Sequence, residues 1–411
     1  MNIFGKIILG RKLVEAGIII EDGIITKIGK QISGKKMKGI IMPAGIDVHV
    51  HLRDFEESHK ETIKTGTLAA LNGGICLVVD QPNTKPFIDS EERYIERIKK
   101  AEKWTNVDYS LNIGLTRKNY KEIQEIVRDL RNMGYNPKIG EVFLCHEKED
   151  YQIDYEIIEN LKTFLTIHAE DPAYIISNEI PNFKFRKREA EIEAVRILSE
   201  GEYYFCHIST KDAAKMIFKG PSYIEVTPHH LLLDEGDYER LGKLVNVNPP
   251  LRKREDREFL LSNFHEIDVL ASDHAPHTIE EKENGASGYP NVETMYPIMM
   301  GLVFKGVLNI FDLSEKIAEN PAKIFGFKGY GEIREGNYAN FAVFDISQTE
   351  KIKTEKLHSK CEWTPYVGFE AIFPHTVVIR GEIVKEDGEI FEGFGRVYTD
   401  KAYIYHHKNT L

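Results

Sequence analysis

Eight short apolar runs recur through the middle of this 411-residue chain, at 45–53, 75–80, 109–114, 139–144, 164–167, 203–206, 223–226 and 269–270. Charged segments with the period of a helix separate most of them, at 90–103, 119–133, 155–161, 187–200 and 210–218. Alternation of this kind, repeated eight times over about 280 residues, predicts a (β/α)8 TIM barrel, an α/β architecture. A doubly wound sheet is the competing arrangement, but no glycine-rich phosphate loop follows the first run.

The two ends have a different texture. Residues 17–20 and 24–28 are β-rich and flank Glu21-Asp22-Gly23, which reads as a hairpin with glycine in its turn. From about Gly331 the same pattern returns, at 342–345, 376–381 and 384–388. The expectation is one small β-sandwich built from 1–43 and 331–411, around a barrel spanning 44–330.

Composition narrows the function. A net charge of −11 argues against nucleic acid or an anionic membrane as the main partner. The N-terminal apolar run is too short for a secretory signal, and no stretch approaches the roughly eighteen apolar residues of a membrane helix. Cys76, Cys145, Cys206 and Cys361 lie far apart, three of them in apolar runs. They read as buried thiols of a reducing cytoplasm, with no disulfide framework and no CxxC metal signature.

Polar residues cluster where the runs end. His49 and His51 stand two apart, so the period-2 pleat puts both imidazoles on one face, with Arg53, two residues further, on the same strand-end face. The second run ends in Asp80-Gln81-Pro82-Asn83, the fifth in His168-Ala169-Glu170-Asp171, the sixth in His207-Ile208-Ser209, and the eighth in Ser272-Asp273-His274-Ala275-Pro276-His277. Barrel active sites are assembled at the C-terminal ends of strands. Four histidines and an aspartate meeting there form an N/O donor set that favours Zn2+. His229 and His230 read as packing or hydrogen-bonding groups, His59 as part of a solvated helix face, and His406 and His407 as surface. Asp47 reads as structural support beside the site.

The segments DVHVHLRD, QPNTKP, TIHAED, CHIST, VNPPLR, SDHAPHT and ENPAKIFG together resemble the dihydroorotases of the amidohydrolase superfamily, archaeal and bacterial class I-like, from about Gly39 to Pro321. The resemblance implies a cyclic amide hydrolase of pyrimidine biosynthesis that interconverts N-carbamoyl-L-aspartate and L-dihydroorotate. It implies His49, His51 and Asp273 as ligands of one zinc and His168 and His207 as ligands of a second, with Asp273 also the general base. Arg53, Asn83 and His277 would bind the substrate carboxylate, with Asn248 and Gly288 against the ring and His51 also facing substrate. In such enzymes a carboxylate bridges the two metals, often a carboxylated lysine on strand 4. Here that strand offers Lys138 and Glu141, three apart and so on opposite faces of a regular strand. Glu141, further along and already ionised, is the expected bridge, and carboxylated Lys138 the alternative.

The charged segment 278–291, with Gly285 and Gly288, reads as a loop over the substrate. Two other readings compete. One is a cyclic amidase of hydantoinase or allantoinase type, which Arg53 and Asn83 count against. The other is a non-catalytic barrel associated with aspartate carbamoyltransferase, which the complete ligand set counts against.

Overall fold

The computed structural model describes residues 1–400, so His406 and His407 lie outside the described residues. The N-terminal strands are β1 (Asn2–Leu9), β2 (Lys12–Glu21), β3 (Ile24–Gly29) and β4 (Lys35–Pro43). Eight barrel strands follow: β5 (Gly45–Val50), β6 (Ile75–Asp80), β7 (Asp108–Leu111), β8 (Ile139–Phe143), β9 (Leu165–His168), β10 (Tyr204–Phe205), β11 (Tyr223–Val226) and β12 (Val269–Leu270). Each falls on one of the eight apolar runs. Such runs are legible because parallel barrel strands are covered on both faces and so carry near-continuous apolar sequence.

The barrel strands form two parallel sheets, β5-β6-β7 and β8-β9-β10-β11-β12. Single parallel bridges, Ile113 to Ile139 and Val50 to His274, join them at both seams. Helices lie between strands where the charged segments predict them, for example Glu91–Trp104, Ile123–Met133 and Arg188–Leu198. Glu91–Trp104 starts at Ser90, whose side chain accepts from Arg93 N, and carries Glu91 and Glu92 in its first turn. Both features favour a helix start there.

The C-terminal strands are β13 (Phe341–Phe344), β14 (Glu350–Lys351), β15 (Glu370–Ala371), β16 (Thr376–Ile379), β17 (Glu382–Glu386) and β18 (Glu389–Ile390). Both termini join one eight-stranded sheet, ordered β18-β17-β16-β13-β4-β1-β2-β3. Ile25 N donates to Asn337 O and Ala339 N to Gly23 O, so the segment entering β13 returns to edge strand β3 and folds the sheet over. Ile3, Ile18, Ile25, Ile41, Phe341 and Val378 form a core there, separate from that of the barrel.

The C-terminal region also touches the barrel. Tyr109 N donates to Arg396 O and Tyr398 N to Tyr109 O, clamping the chain against β7. At the opposite end, Trp363 Nε1 donates to His277 O at 2.7 Å, while Ser359 Oγ and Lys360 N bind the Glu61 carboxylate. Among the described residues no helix is long and apolar enough to cross a membrane.

Candidate metal centre and active site

The six expected metal-ligand side chains meet at the C-terminal ends of the strands, with Glu141 in the middle. Its Oε1 lies 2.9 Å from His168 Nδ1 and 2.8 Å from His207 Nε2. Its Oε2 lies 3.5 Å from His49 Nε2 and 3.9 Å from His51 Nε2. Asp273 Oδ1 closes the second group, 3.1 Å from His51 Nε2 and 3.6 Å from His49 Nε2. One carboxylate thus presents one oxygen to each of two pairs of imidazoles. Lys138 points elsewhere: its Nζ donates to Asn136 Oδ1 at 2.9 Å and lies over the Phe164 ring.

These residues fit a divalent cation on three grounds. Two ligands about 2.0–2.1 Å from a tetrahedral cation lie about 3.3 Å apart, and the spacings around Glu141 Oε2 and Asp273 Oδ1, 3.1 to 3.9 Å, bracket that value. His49 Nε2 is buried and has no hydrogen-bond partner among the described residues, a costly state for a polar atom with no further ligand. The charges are also unbalanced. Burial opposes charge on His49, but Glu225 and Glu141 outweigh it and raise it well above the usual histidine range. His168 behaves alike, pushed up to about 9 by Glu141 and Glu170 against its burial. Carboxylates this close draw positive charge onto the buried imidazoles, charge that a metal cofactor would supply.

Partners behind these side chains fix their orientation. His49 Nδ1–H donates to Glu225 Oε1 at 2.9 Å, which turns Nε2 toward the cluster. Glu225 also accepts from His207 N and Tyr204 OH. His168 Nε2–H donates to Glu170 Oε2 at 2.8 Å, which Arg186 holds. Sequence reasoning assigned no role to Glu225 or Glu170. The available signal for Glu225 was a carboxylate inside the apolar run 223–226. Asp47 accepts from His49 N and Ser272 N, tying β5 to the end of β12, and its burial pushes it up to about 6.

The placement of Arg53 corrects one expectation. The pleat was carried through His51 to Arg53, but β5 stops at Val50. Arg53, Asp54 and Phe55 instead turn through left-handed backbone, with φ of 51°, 63° and 45°. Each such non-glycine residue costs about 1 kcal/mol or more. Buried bonds hold the turn: Leu52 N donates to Asp80 Oδ1, and Arg97, paired with Asp80 at 2.6 Å, donates to Arg53 O. The turn buries Arg53 at the barrel mouth, where Nε donates to Pro276 O and Nη2 to His277 Nε2. Nη1 has no hydrogen bond among the described residues. Burial and the neighbouring Arg53 cation lower His277 to about 3, so it stays neutral. Asn83 Oδ1 accepts from His51 Nδ1–H at 2.7 Å.

Asn248 and Gly288 make no hydrogen bond to the histidine–carboxylate cluster; they belong to a second set of loops. Asn182 Nδ2 donates to Val247 O and Asn248 Oδ1, and Gly288 N to Asn246 O. A Cβ on Gly288, at φ 137°, would meet Ala275 O at 2.4 Å, so only glycine fits this approach. His59 is exposed in a turn, not on a helix face, because the left-handed residues before it end any regular structure. His229 and His230 are buried, His229 bonded to Asn291 and His230 to Thr227 and Pro249 O.

Lys282 was not anticipated. It is 0% exposed, burial pushes it well below the usual lysine range, and its Nζ donates to Asn246 O and to Gly288 O. It also lies 5.1 Å from the Tyr289 ring centroid and 5.6 Å from that of Trp363. The lysine staples segment 278–291 to the Asn246–Asn248 loop. Lys282→Met keeps the bulk but loses both bonds, each worth about 0.5–1.5 kcal/mol. We expect KM to rise at least about tenfold, with metal content unchanged, as steady-state kinetics and metal analysis would show.

An amidohydrolase family model matches residues 40–194. A dihydroorotase from Archaeoglobus fulgidus is 59% identical over 389 residues, covering 93% of this chain and 96% of that protein. A dihydroorotase from Pyrococcus furiosus is 39% identical, covering 94% and 92% respectively. In fold the chain is similar to an L-hydantoinase (dihydropyrimidinase) from Arthrobacter aurescens, with a TM-score of 0.88 at 23% identity over 97% of this chain and 99% of that one. A D-hydantoinase from Thermus sp. gives 0.86 at 24% identity, covering 96% and 98%. Full-length identity at these levels, on a barrel whose strand ends gather this donor set, shows that the chain belongs to the dihydroorotase family of the amidohydrolases.

Proposed function

We propose that this chain interconverts N-carbamoyl-L-aspartate and L-dihydroorotate, using two Zn2+ ions held by His49, His51 and Asp273 on one side and His168 and His207 on the other. The observation that carries the reading is Glu141, whose two oxygens face the two histidine pairs separately. When bound, the cations would supply an activated water and polarise the scissile carbonyl. The remaining work falls to side chains. Asp273 accepts the proton of the attacking water and passes it to the departing ring nitrogen. Its Oδ1 faces the histidines, while Oδ2 makes no hydrogen bond among the described residues and is free for that proton.

Arg53 selects the substrate. The ring carboxylate of dihydroorotate is its counterpart, and a planar guanidinium with an unengaged Nη1 suits a carboxylate. Neutral His277, accepting from Nη2, aims the fork. A panel of L-dihydroorotate, hydantoin, dihydrouracil and allantoin tests the assignment. We expect kcat/KM for dihydroorotate to exceed the others by at least about 100-fold; equal rates on dihydrouracil, which lacks the carboxylate, would sink it. Arg53→Lys should raise KM about tenfold or more with a smaller change in kcat.

A further inference from the structure

A cavity of about 660 Å3 lies between the terminal sheet and the barrel, within the roughly 300–1,000 Å3 typical of small-molecule sites. None of the residues proposed above to hold metal or substrate lines it. At its base sits Lys385, 4% exposed. Its ammonium donates to Asn72 O at 3.0 Å and has no other acceptor among the described residues. An ammonium carries three donors, so two are left for an occupant. Burial lowers Lys385 to about 8, a cost that a bound anion would offset.

The surrounding charge is cationic. Lys351, Lys353 and Lys356 line the cavity and are exposed to solvent. Its carboxylates are Glu350, paired with Lys356, and Asp387, whose side chain is 83% exposed. Glu293, behind the wall, is already occupied by Asn72 Nδ2 and by His358 N and Nδ1. Ile352, Leu357, Phe373 and Pro374 give it an apolar and aromatic wall, beside the polar Asn72, Gln348, Thr349 and His358. His375 has both nitrogens engaged, Nε2–H on Lys38 O and Nδ1 accepting from Thr376 Oγ1. It can offer an occupant only its ring.

We infer that this cavity binds a small organic phosphate bearing a planar ring, of the nucleoside 5′-monophosphate class, with the phosphate on Lys385 and the ring along Phe373 and His375. Neither half suffices alone: inorganic phosphate would leave the apolar wall exposed, and an uncharged nucleoside would leave Lys385 unmatched.

Calorimetric titration of the metal-loaded enzyme with UMP, uridine and inorganic phosphate tests this. UMP should bind at least about tenfold tighter than either fragment, the scale of one charge-assisted bond. Lys385→Met should remove that advantage, and saturating L-dihydroorotate should not displace UMP. Should Lys385→Met fail to fold, the surface variant Lys351→Ala/Lys353→Ala should still weaken UMP about threefold at low salt. UMP binding no better than phosphate or uridine, binding unchanged in the variant that can be measured, or displacement by dihydroorotate would each overturn the proposal.

Discussion

Asp273→Ala is expected to lower kcat by at least about 1,000-fold while leaving the fold intact. General-base catalysis alone contributes about 100- to 10,000-fold, and Asp273 also supplies one of the oxygens facing His49 and His51. Its place in the chain makes the substitution mild for folding. It lies beyond the end of β12, so alanine interrupts no strand ladder; the left-handed backbone there, at φ 46°, suits aspartate better than alanine and adds a cost of about 1 kcal/mol. The check is kcat for dihydroorotate hydrolysis, beside circular dichroism and metal content. A folded, metal-loaded Asp273→Ala enzyme with near-normal kcat would exclude it as the base.

Glu141→Gln has the second largest expected effect, and it falls on metal as well as rate. The amide keeps the shape but loses the charge that lies against His49, His168 and His207. Breaking a buried charge cluster from one side costs about 3–5 kcal/mol, so the metal-free protein should lose thermal stability. Burial would raise Glu141, but the histidines outweigh it and hold it well below the usual carboxylate range. Its charge therefore persists throughout the neutral range. Metal analysis should show a fall from two ions per chain to one or fewer, with kcat down at least about 100-fold. Lys138→Ala should leave metal content unchanged, since its ammonium points toward Asn136. Loss of metal in Lys138→Ala with retention in Glu141→Gln would instead make the lysine the bridge.

The barrel was readable from the chain because its strands are covered on both faces and so are mostly apolar, while most of the intervening helices are charged on one. The donor set was readable too, since His49, His51, His168, His207 and Asp273 all sit where an apolar run stops. What escaped depends on distances that no local pattern contains. Glu225 reaches His49 across 176 residues of sequence, and its role follows from the order of strands around the barrel. Lys282 looks like one more charge in a polar segment until the aromatic faces of Tyr289 and Trp363 are brought to it. Arg53 was assigned to the mouth of the barrel, but by extending a pleat that ends at Val50. A left-handed turn held by Asp80 and Arg97 brings it there instead.

The bonds from Ser359, Lys360 and Trp363 to Glu61 and His277 have a consequence for synthesis. Glu61 lies 3.5 Å from His274, the neighbour of Asp273, and His277 is the residue on which Arg53 rests. A ribosome that has translated all eight barrel strands has still not made the residues that fasten the first and last loops of the site. The mouth is fastened from the chain's last sixty residues, so a nascent barrel can be largely folded well before it is competent.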